Sequence, residues 1–113
     1  KARPKVYVVS KYAGDIEGNT AAAIRYARFA IEKKCLPVVS HLLYPQILDD
    51  GDPEQRELGL LFGQALLAMC EEVWVFGTEH SSGMQSEIHE AHRLKKRIRY
   101  YSERLEEIHE DDR

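Results

Sequence analysis

The feature that most constrains this chain is a regular alternation of short apolar runs with segments of helical periodicity. Four runs have the β-branched and aromatic composition of buried strands: KVYVVS (5–10), CLPVVS (35–40), EVWVFG (72–77) and RIRYYS (97–102). Three segments between them repeat apolar residues at helical spacing, over about 19–34, 53–70 and 82–96. This βαβαβαβ order predicts a four-stranded parallel sheet covered by helices on both faces, with right-handed crossovers.

The expected strand order is 2-1-3-4, within one three-layer α/β domain. With 113 residues the chain is long enough to bury a core of its own. We therefore predict a single domain over 1–113, with its core at about 5–101 and an acidic tail, ERLEEIHEDDR, that is solvated or forms a frayed helix.

Composition excludes several classes of function. The net charge of -3 argues against a dedicated nucleic-acid binder. The two cysteines, Cys35 and Cys70, have no metal-ligand spacing and predict a reduced, cytoplasmic chain in which both are packing residues. The longest apolar stretch, LGLLFGQALLAMC, is shorter than the roughly 20 residues of a membrane span. The absence of a P-loop or GxGxxG motif after the first strand disfavours the usual triphosphate and dinucleotide sites.

Two loops point to a ligand site at one edge of the sheet. In such sheets ligands bind at the carboxyl ends of the strands, where strand order reverses, here between strands one and three. The loops SKYAGDIEGN and GTEHSSGM leave from those two ends. The candidate substrate-binding residues are Ser10, Tyr12, Gly14, Asp15 and Asn19 in the first loop, His41 and Asp49 after strand two, and Gly77, Ser81, Ser82, Gly83 and Met84 in the second loop. Ordinary turns and helix caps explain the same residues equally well, and Asp49 with Asp50 indicates a loop cluster rather than a metal pair.

Glu87 is the candidate functional carboxylate. With Ser82 as the helix cap, Met84, Ile88 and Ala91 form one apolar stripe, and Glu87 falls on its border. A carboxylate there is partly desolvated, which raises its pKa, while the helix N-terminus lowers it. The alternative is that Glu87 reaches water or pairs with a basic side chain.

These motifs resemble a known family. The stretch from VYVVSKYAGDIEGN to HLLYPQILDD, followed by ELGLLFG, EEVWVFG and SSGMQSEIHEA, resembles the DUF4406-type proteins over about residues 5–101. These are small bacterial and phage proteins related to the nucleoside 2-deoxyribosyltransferases. The resemblance implies a flavodoxin-like (Rossmann-like) fold, a homo-oligomer, a nucleoside or nucleotide as the small-molecule partner, and no metal or organic cofactor.

The resemblance also implies roles for individual residues. Glu87 matches the family's nucleophile, which would attack C1′ of the sugar and form a glycosyl-enzyme ester. Tyr12 would lie near the sugar or the nucleophile. The turn of Ser81, Ser82 and Gly83 matches the place where nucleotide-hydrolysing relatives hold a 5′-phosphate.

The sequence departs from the family at the leaving-group acid. Gln64 stands where the enzymes usually carry an aspartate, and an amide cannot act as a general acid. Asp15, Asp49 or Glu57 could substitute, and Lys11 replaces a frequent proline. The expected function is therefore an N-glycosidase or deoxyribosyltransferase-like enzyme. The alternatives are a non-catalytic binder of a nucleotide or nucleotide-derived signal, and a domain that mainly assembles with itself or another protein.

Overall fold

The computed structural model describes residues 2–109. Its strands are β1 (Lys5–Val9), β2 (Leu36–Val38), β3 (Glu72–Phe76), β4 (Arg97–Tyr101) and β5 (Glu107–Ile108). Its helices are α1 (Ile16–Glu32), α2 (Pro53–Ala68) and α3 (Ser82–Arg93). Two single turns of 3-10 helix, Ser40–Leu42 and Tyr44–Gln46, lie within the long connection from β2 to α2.

The sheet has the order β2-β1-β3-β4-β5. The first four strands are parallel, which confirms the predicted 2-1-3-4 arrangement and the α/β sandwich. β5 is an addition, because it pairs antiparallel with β4. The expectation of four strands and a solvated tail is therefore wrong over 107–108. A tight turn makes the pairing possible: Leu105 adopts a positive φ of 69°, and the Ser102 hydroxyl accepts hydrogen bonds from the N–H groups of Arg104 and Glu106. Residues 110–113 of the predicted tail lie outside the described residues.

Two helices begin earlier than the sequence predicted. α1 begins at Ile16 because Asp15 is its N-cap and accepts a hydrogen bond from Gly18 N, so Asn19 lies inside the helix rather than at its start. α3 is capped by Ser81, whose hydroxyl accepts from Met84 N at 3.2 Å, and not by Ser82. Serine and aspartate both satisfy free N–H groups at a helix start, so spacing alone could not choose among neighbouring candidates.

The strands alternate their side chains between two cores. Tyr7 and Val9 of β1 face α2 and α3, where they pack with Leu67, Met84 and Ala91. Val6 and Val8 point to the other face, against α1, in an aromatic core that includes Tyr26, Phe29, Trp74, Phe76 and Tyr101. Cys35 and Cys70 are free and buried, as expected for packing residues. Within residues 2–109, the structure contains no helix that is both long and apolar enough to span a membrane.

Candidate functional site

Glu87 points inward from α3 and meets Tyr7 of β1. Tyr7 Oη donates a hydrogen bond to Glu87 Oε2 at 2.5 Å. Tyr7 Oη also lies 2.9 Å from Ser40 Oγ, at the start of the first 3-10 turn. Because the single phenolic proton is given to the carboxylate, Ser40 donates to the phenol oxygen. The three side chains thus form a directed chain from Ser40 through Tyr7 to Glu87.

Burial governs the protonation of this pair. Desolvation raises the pKa of Glu87 from its ordinary 4.5 to about 7, although the hydrogen bond from Tyr7 lowers it. Burial, followed by the charge of Glu87, raises the pKa of the Tyr7 hydroxyl, so that tyrosine remains a neutral donor. The second carboxylate oxygen, Glu87 Oε1, makes no hydrogen bond or ion pair with any residue of 2–109. It is the carboxylate oxygen without a protein partner among these residues.

Gly63 of α2 closes the third side of this cluster. A Cβ at this position would lie 3.2 Å from Tyr7 Oη and 3.8 Å from Ser40 Oγ. The first distance is tighter than an ordinary van der Waals contact, so any side chain here would push the phenol away. Glycine therefore allows α2 to pack directly against the Tyr7 hydroxyl.

The first loop is held by its own polar residues. Asn19 Nδ2 donates to the carbonyl oxygens of Tyr12 and Ala13, at 3.0 and 3.1 Å. Gly14 has a positive φ of 96° and open space beside it. Together with the Asp15 cap, these contacts show that Asp15 and Asn19 fix the loop conformation, as the alternative interpretation of a capped turn had it.

His41 joins this loop to the end of β1. Its ring lies 5.1 Å from that of Tyr12, and its Nε2–H donates to Ser10 O at 3.1 Å. Burial lowers the pKa of His41, so the imidazole is predominantly neutral at pH 7. Tyr12 thus contacts His41, whereas Tyr7 is the tyrosine that contacts Glu87.

Three of the predicted residues line a cavity on the opposite face of the sheet from Glu87. Ser10, Asn19 and Gly77 share a cavity of about 250 Å³ with Lys11, Arg25 and Glu103. Its walls come from α1, from the end of β3 and from the loops after β1, β3 and β4, whereas Glu87 contacts Tyr7 on the face covered by α2 and α3. The candidate residues therefore divide between two places along the carboxyl edge of the sheet.

The remaining candidates make no hydrogen bond to Glu87 and do not line the cavity. Ser82 and Gly83 are exposed in the first turn of α3, beside the Ser81 cap, and Met84 is 1% exposed in the core. Asp49 is exposed and accepts a hydrogen bond from Gly51 N. Gln64 is exposed on α2. Within 2–109, no three histidine, cysteine, aspartate or glutamate side chains are grouped to hold a metal.

Sequence reasoning missed Tyr7, Ser40 and Gly63. The run around Tyr7 predicts a strand, and a tyrosine in a buried strand requires a partner for its hydroxyl. Ser40 ends a strand, and Gly63 interrupts an apolar helix, where glycine often marks close packing. Each signal was present, but no spacing rule connects three residues on different elements.

The fold is shared with a solved enzyme. The chain superimposes on a 2-deoxyribosyltransferase from the psychrotolerant bacterium Bacillus psychrosaccharolyticus with a TM-score of 0.73 and 12% sequence identity. The match covers 87% of this chain and 72% of that enzyme, and at this identity it shows the fold alone. No match is found among proteins of curated function.

A family match covers most of the domain. Residues 4–101 match the family described as Domain of unknown function (DUF7768), a different family from the DUF4406 type that the sequence resembles. The deoxyribosyltransferase-like fold expected from the resemblance is confirmed. The chain belongs to the DUF7768 family.

Proposed function

We propose that this protein cleaves the N-glycosidic bond of a nucleoside or nucleotide, with Glu87 as nucleophile. The observation that carries the proposal is the Ser40–Tyr7–Glu87 chain, which fixes one carboxylate oxygen and leaves the other unengaged. The shared deoxyribosyltransferase fold supports the same chemistry. A carboxylate that is ionised but poorly solvated suits attack on an oxocarbenium-like sugar carbon.

The reaction has two steps. Glu87 Oε1 forms a bond to C1′ while the C1′–N bond breaks, and the bonding electron pair leaves with the base, which takes a proton from water. A second base or a water molecule then displaces Glu87 from C1′ and loses a proton to solvent. Tyr7 keeps Oε2 hydrogen-bonded throughout, which orients the carboxylate and stabilises it each time it is released as an anion.

The remaining predicted roles stay proposals within this scheme. Tyr12 and His41 would lie against the ligand at the mouth of the site, and the Ser81–Gly83 turn would hold a 5′-phosphate through the start of α3. We also retain the predictions of a DUF4406-type relationship, a cytoplasmic location and a homo-oligomer. For the last, an apolar stripe along α2 provides support: Leu58 and Leu61 of the helix and Met69 at its C-cap are 39%, 58% and 64% exposed.

One observation favours a second candidate, a non-catalytic binder of a nucleotide or nucleotide-derived signal. Gln64 stands exposed on α2, and no carboxyl group of residues 2–109 makes a hydrogen bond or ion pair with Glu87. Burial lowers the pKa of His41, so little of its imidazole carries the proton that a general acid would donate at pH 7. A leaving base would then have only solvent to protonate it, which slows turnover without preventing binding.

To test this proposal, the protein is incubated with nucleosides and 5′-nucleotides, and the free base that it releases is measured by chromatography. Wild type should release base, and Glu87→Ala should not. Glu90→Gln is the matched control, because Glu90 lies on the same helix but pairs with Arg93 at 2.6 Å. Full activity in Glu87→Ala removes the nucleophile assignment. Binding without base release in wild type supports the non-catalytic function instead.

A further inference from the structure

The Ser10 hydroxyl is buried without a partner. Ser10 is 3% exposed at the end of β1, and its Oγ makes no hydrogen bond with any residue of 2–109. Leaving a buried hydroxyl unpaired is unfavourable, so such a group is normally satisfied by protein, water or a ligand. Ser10 also lines the 250 Å³ cavity on the α1 face of the sheet. The unpaired hydroxyl therefore belongs to a residue in the wall of this cavity.

The charges around this cavity are balanced and mostly engaged. Lys11 Nζ lies 3.2 Å from Glu79 Oε1, and an Arg25 N–H donates to Glu103 O at 2.9 Å. Glu103 Oε2 would lie 3.7 Å from a Cβ at Gly77, so its carboxylate stands over the end of β3. Two cationic and two anionic side chains leave no net charge to favour an ionic ligand. The rim offers donors and acceptors to a neutral molecule.

The cavity is small, and one of its sides is apolar. Ala22 and Tyr26 of α1 and Phe76 of β3 form its apolar side. Its volume of about 250 Å³ is below the range of about 300–1,000 Å³ typical of drug-sized ligands. A whole nucleotide is too large for this space. A single planar ring system with apolar faces and a polar edge fits both its size and its lining, and nucleobases are recognised through these two kinds of contact.

We propose that this cavity binds a free nucleobase, separately from the Glu87 site. Ser10 Oγ would hydrogen-bond the polar edge of the base, with Asn19 and the Glu103 carboxylate as acceptors for its amino or ring N–H groups. The two sites lie on opposite faces, because Tyr7 packs with Leu67 and Met84, whereas the cavity is walled by Tyr26 and Phe76 from the α1 core. The choice of a nucleobase rests on the proposed function, which releases or accepts one.

To test this proposal, adenine, guanine, cytosine and uracil are titrated separately into the protein, and the backbone amide resonances are followed by NMR. One base should shift the amides of Ser10 and Gly77 in a saturable manner. Ser10→Ala should weaken that binding by about fivefold, since one hydrogen bond is lost. Ala22→Leu should abolish it by filling the cavity. Glu87→Gln should leave it unchanged.

Three results would contradict this proposal. If none of the four bases shifts these amides, the cavity does not bind a nucleobase and the proposal fails. It also fails if Ser10→Ala binds as wild type does, or if Glu87→Gln loses the binding, which would assign it to the other face. Base release in the chromatographic assay is measured independently. Binding here without turnover would remove the proposed function and keep this site.

Discussion

Tyr7 and Glu87, 80 residues apart in sequence, are joined by a 2.5 Å hydrogen bond between the buried middle of β1 and the second turn of α3. The bond fixes the carboxylate against β1, an interior strand of the sheet. It also opposes desolvation, since it lowers the pKa of Glu87 while burial raises it. The pKa of Glu87 can therefore be changed by substituting the residues that contact it.

Removing the Tyr7 hydroxyl should move the pH dependence of activity. In Tyr7→Phe the carboxylate loses the hydrogen bond that lowers its pKa, so this pKa rises above 7. The ionised fraction at pH 7 falls, and kcat/KM there should drop about five- to tenfold, with partial recovery at higher pH. The measurement is a pH–rate profile.

Tyr12→Phe is the matched control for that change, since Tyr12 contacts His41 rather than Glu87. Its profile should keep the wild-type midpoint. A Tyr7→Phe profile that overlays wild type would show that the hydrogen bond does not control the ionisation of Glu87.

Glu87→Gln should stabilise the protein at alkaline pH. The pKa of Glu87 is raised from 4.5 to about 7 in the fold, so the folded state binds one proton more than the unfolded state between these values. Stability from this group is complete below about pH 4.5 and is lost as pH rises through 7, by about 3 kcal/mol at most. Because glutamine does not ionise, the Glu87→Gln variant does not lose this stability as pH rises. Chemical denaturation at pH 5 and pH 8 should show a gain for the variant at pH 8 alone, and an equal difference at both values would contradict the raised pKa.

Two glycines on α2 provide a matched pair for testing packing at the site. In Gly63→Ala the new Cβ would lie 3.2 Å from Tyr7 Oη, which must move and weaken its bond to Glu87. In Gly59→Ala the new Cβ meets Leu48 Cδ1 at an ordinary 3.5 Å. We expect Gly59→Ala to stabilise by about 0.5–1 kcal/mol through helix propensity, with activity retained.

Gly63→Ala should gain nothing in thermal stability and lose at least about fivefold in activity, as expected when a catalytic group is displaced. Thermal melting and the base-release assay compare the two variants directly. Equal behaviour of both would mean that the contact between α2 and Tyr7 is not important for the site.

The sequence predicted the layers of this fold better than it predicted the site. Apolar alternation located all four parallel strands, because period-2 and period-3.6 patterns are local properties of the chain. Strand β5 was missed because two residues carry no periodicity, and its pairing depends on a turn around Leu105. Glu87 could be found from its place on the border of an apolar stripe.

Its partners could not be found in this way. The family resemblance implied that Tyr12 lies near the sugar or the nucleophile, whereas the apolar run around Tyr7 predicts only a buried strand. The contact between Tyr7, Ser40 and Gly63 depends on the register of three elements packed on one face. That register depends on tertiary packing, so it cannot be predicted from the sequence of any single segment.

The exposed stripe on α2 yields the final prediction, which concerns self-association. Leu58 and Leu61 of α2 and its C-cap Met69 recur at spacings of three and eight residues, which places them on one side of the helix and of its end. Exposed apolar stripes of this kind are stabilised by burial against a partner. If the protein forms the homo-oligomer that we propose through this stripe, Leu61→Glu should shift it to a smaller species in analytical ultracentrifugation, because a charge would be buried in the interface. Leu60→Glu is the control, since Leu60 is 61% exposed but lies about 100° away around α2 from Leu61. A wild-type protein that sediments as a monomer, or a Leu61→Glu variant that keeps the wild-type assembly, would exclude this face as the interface.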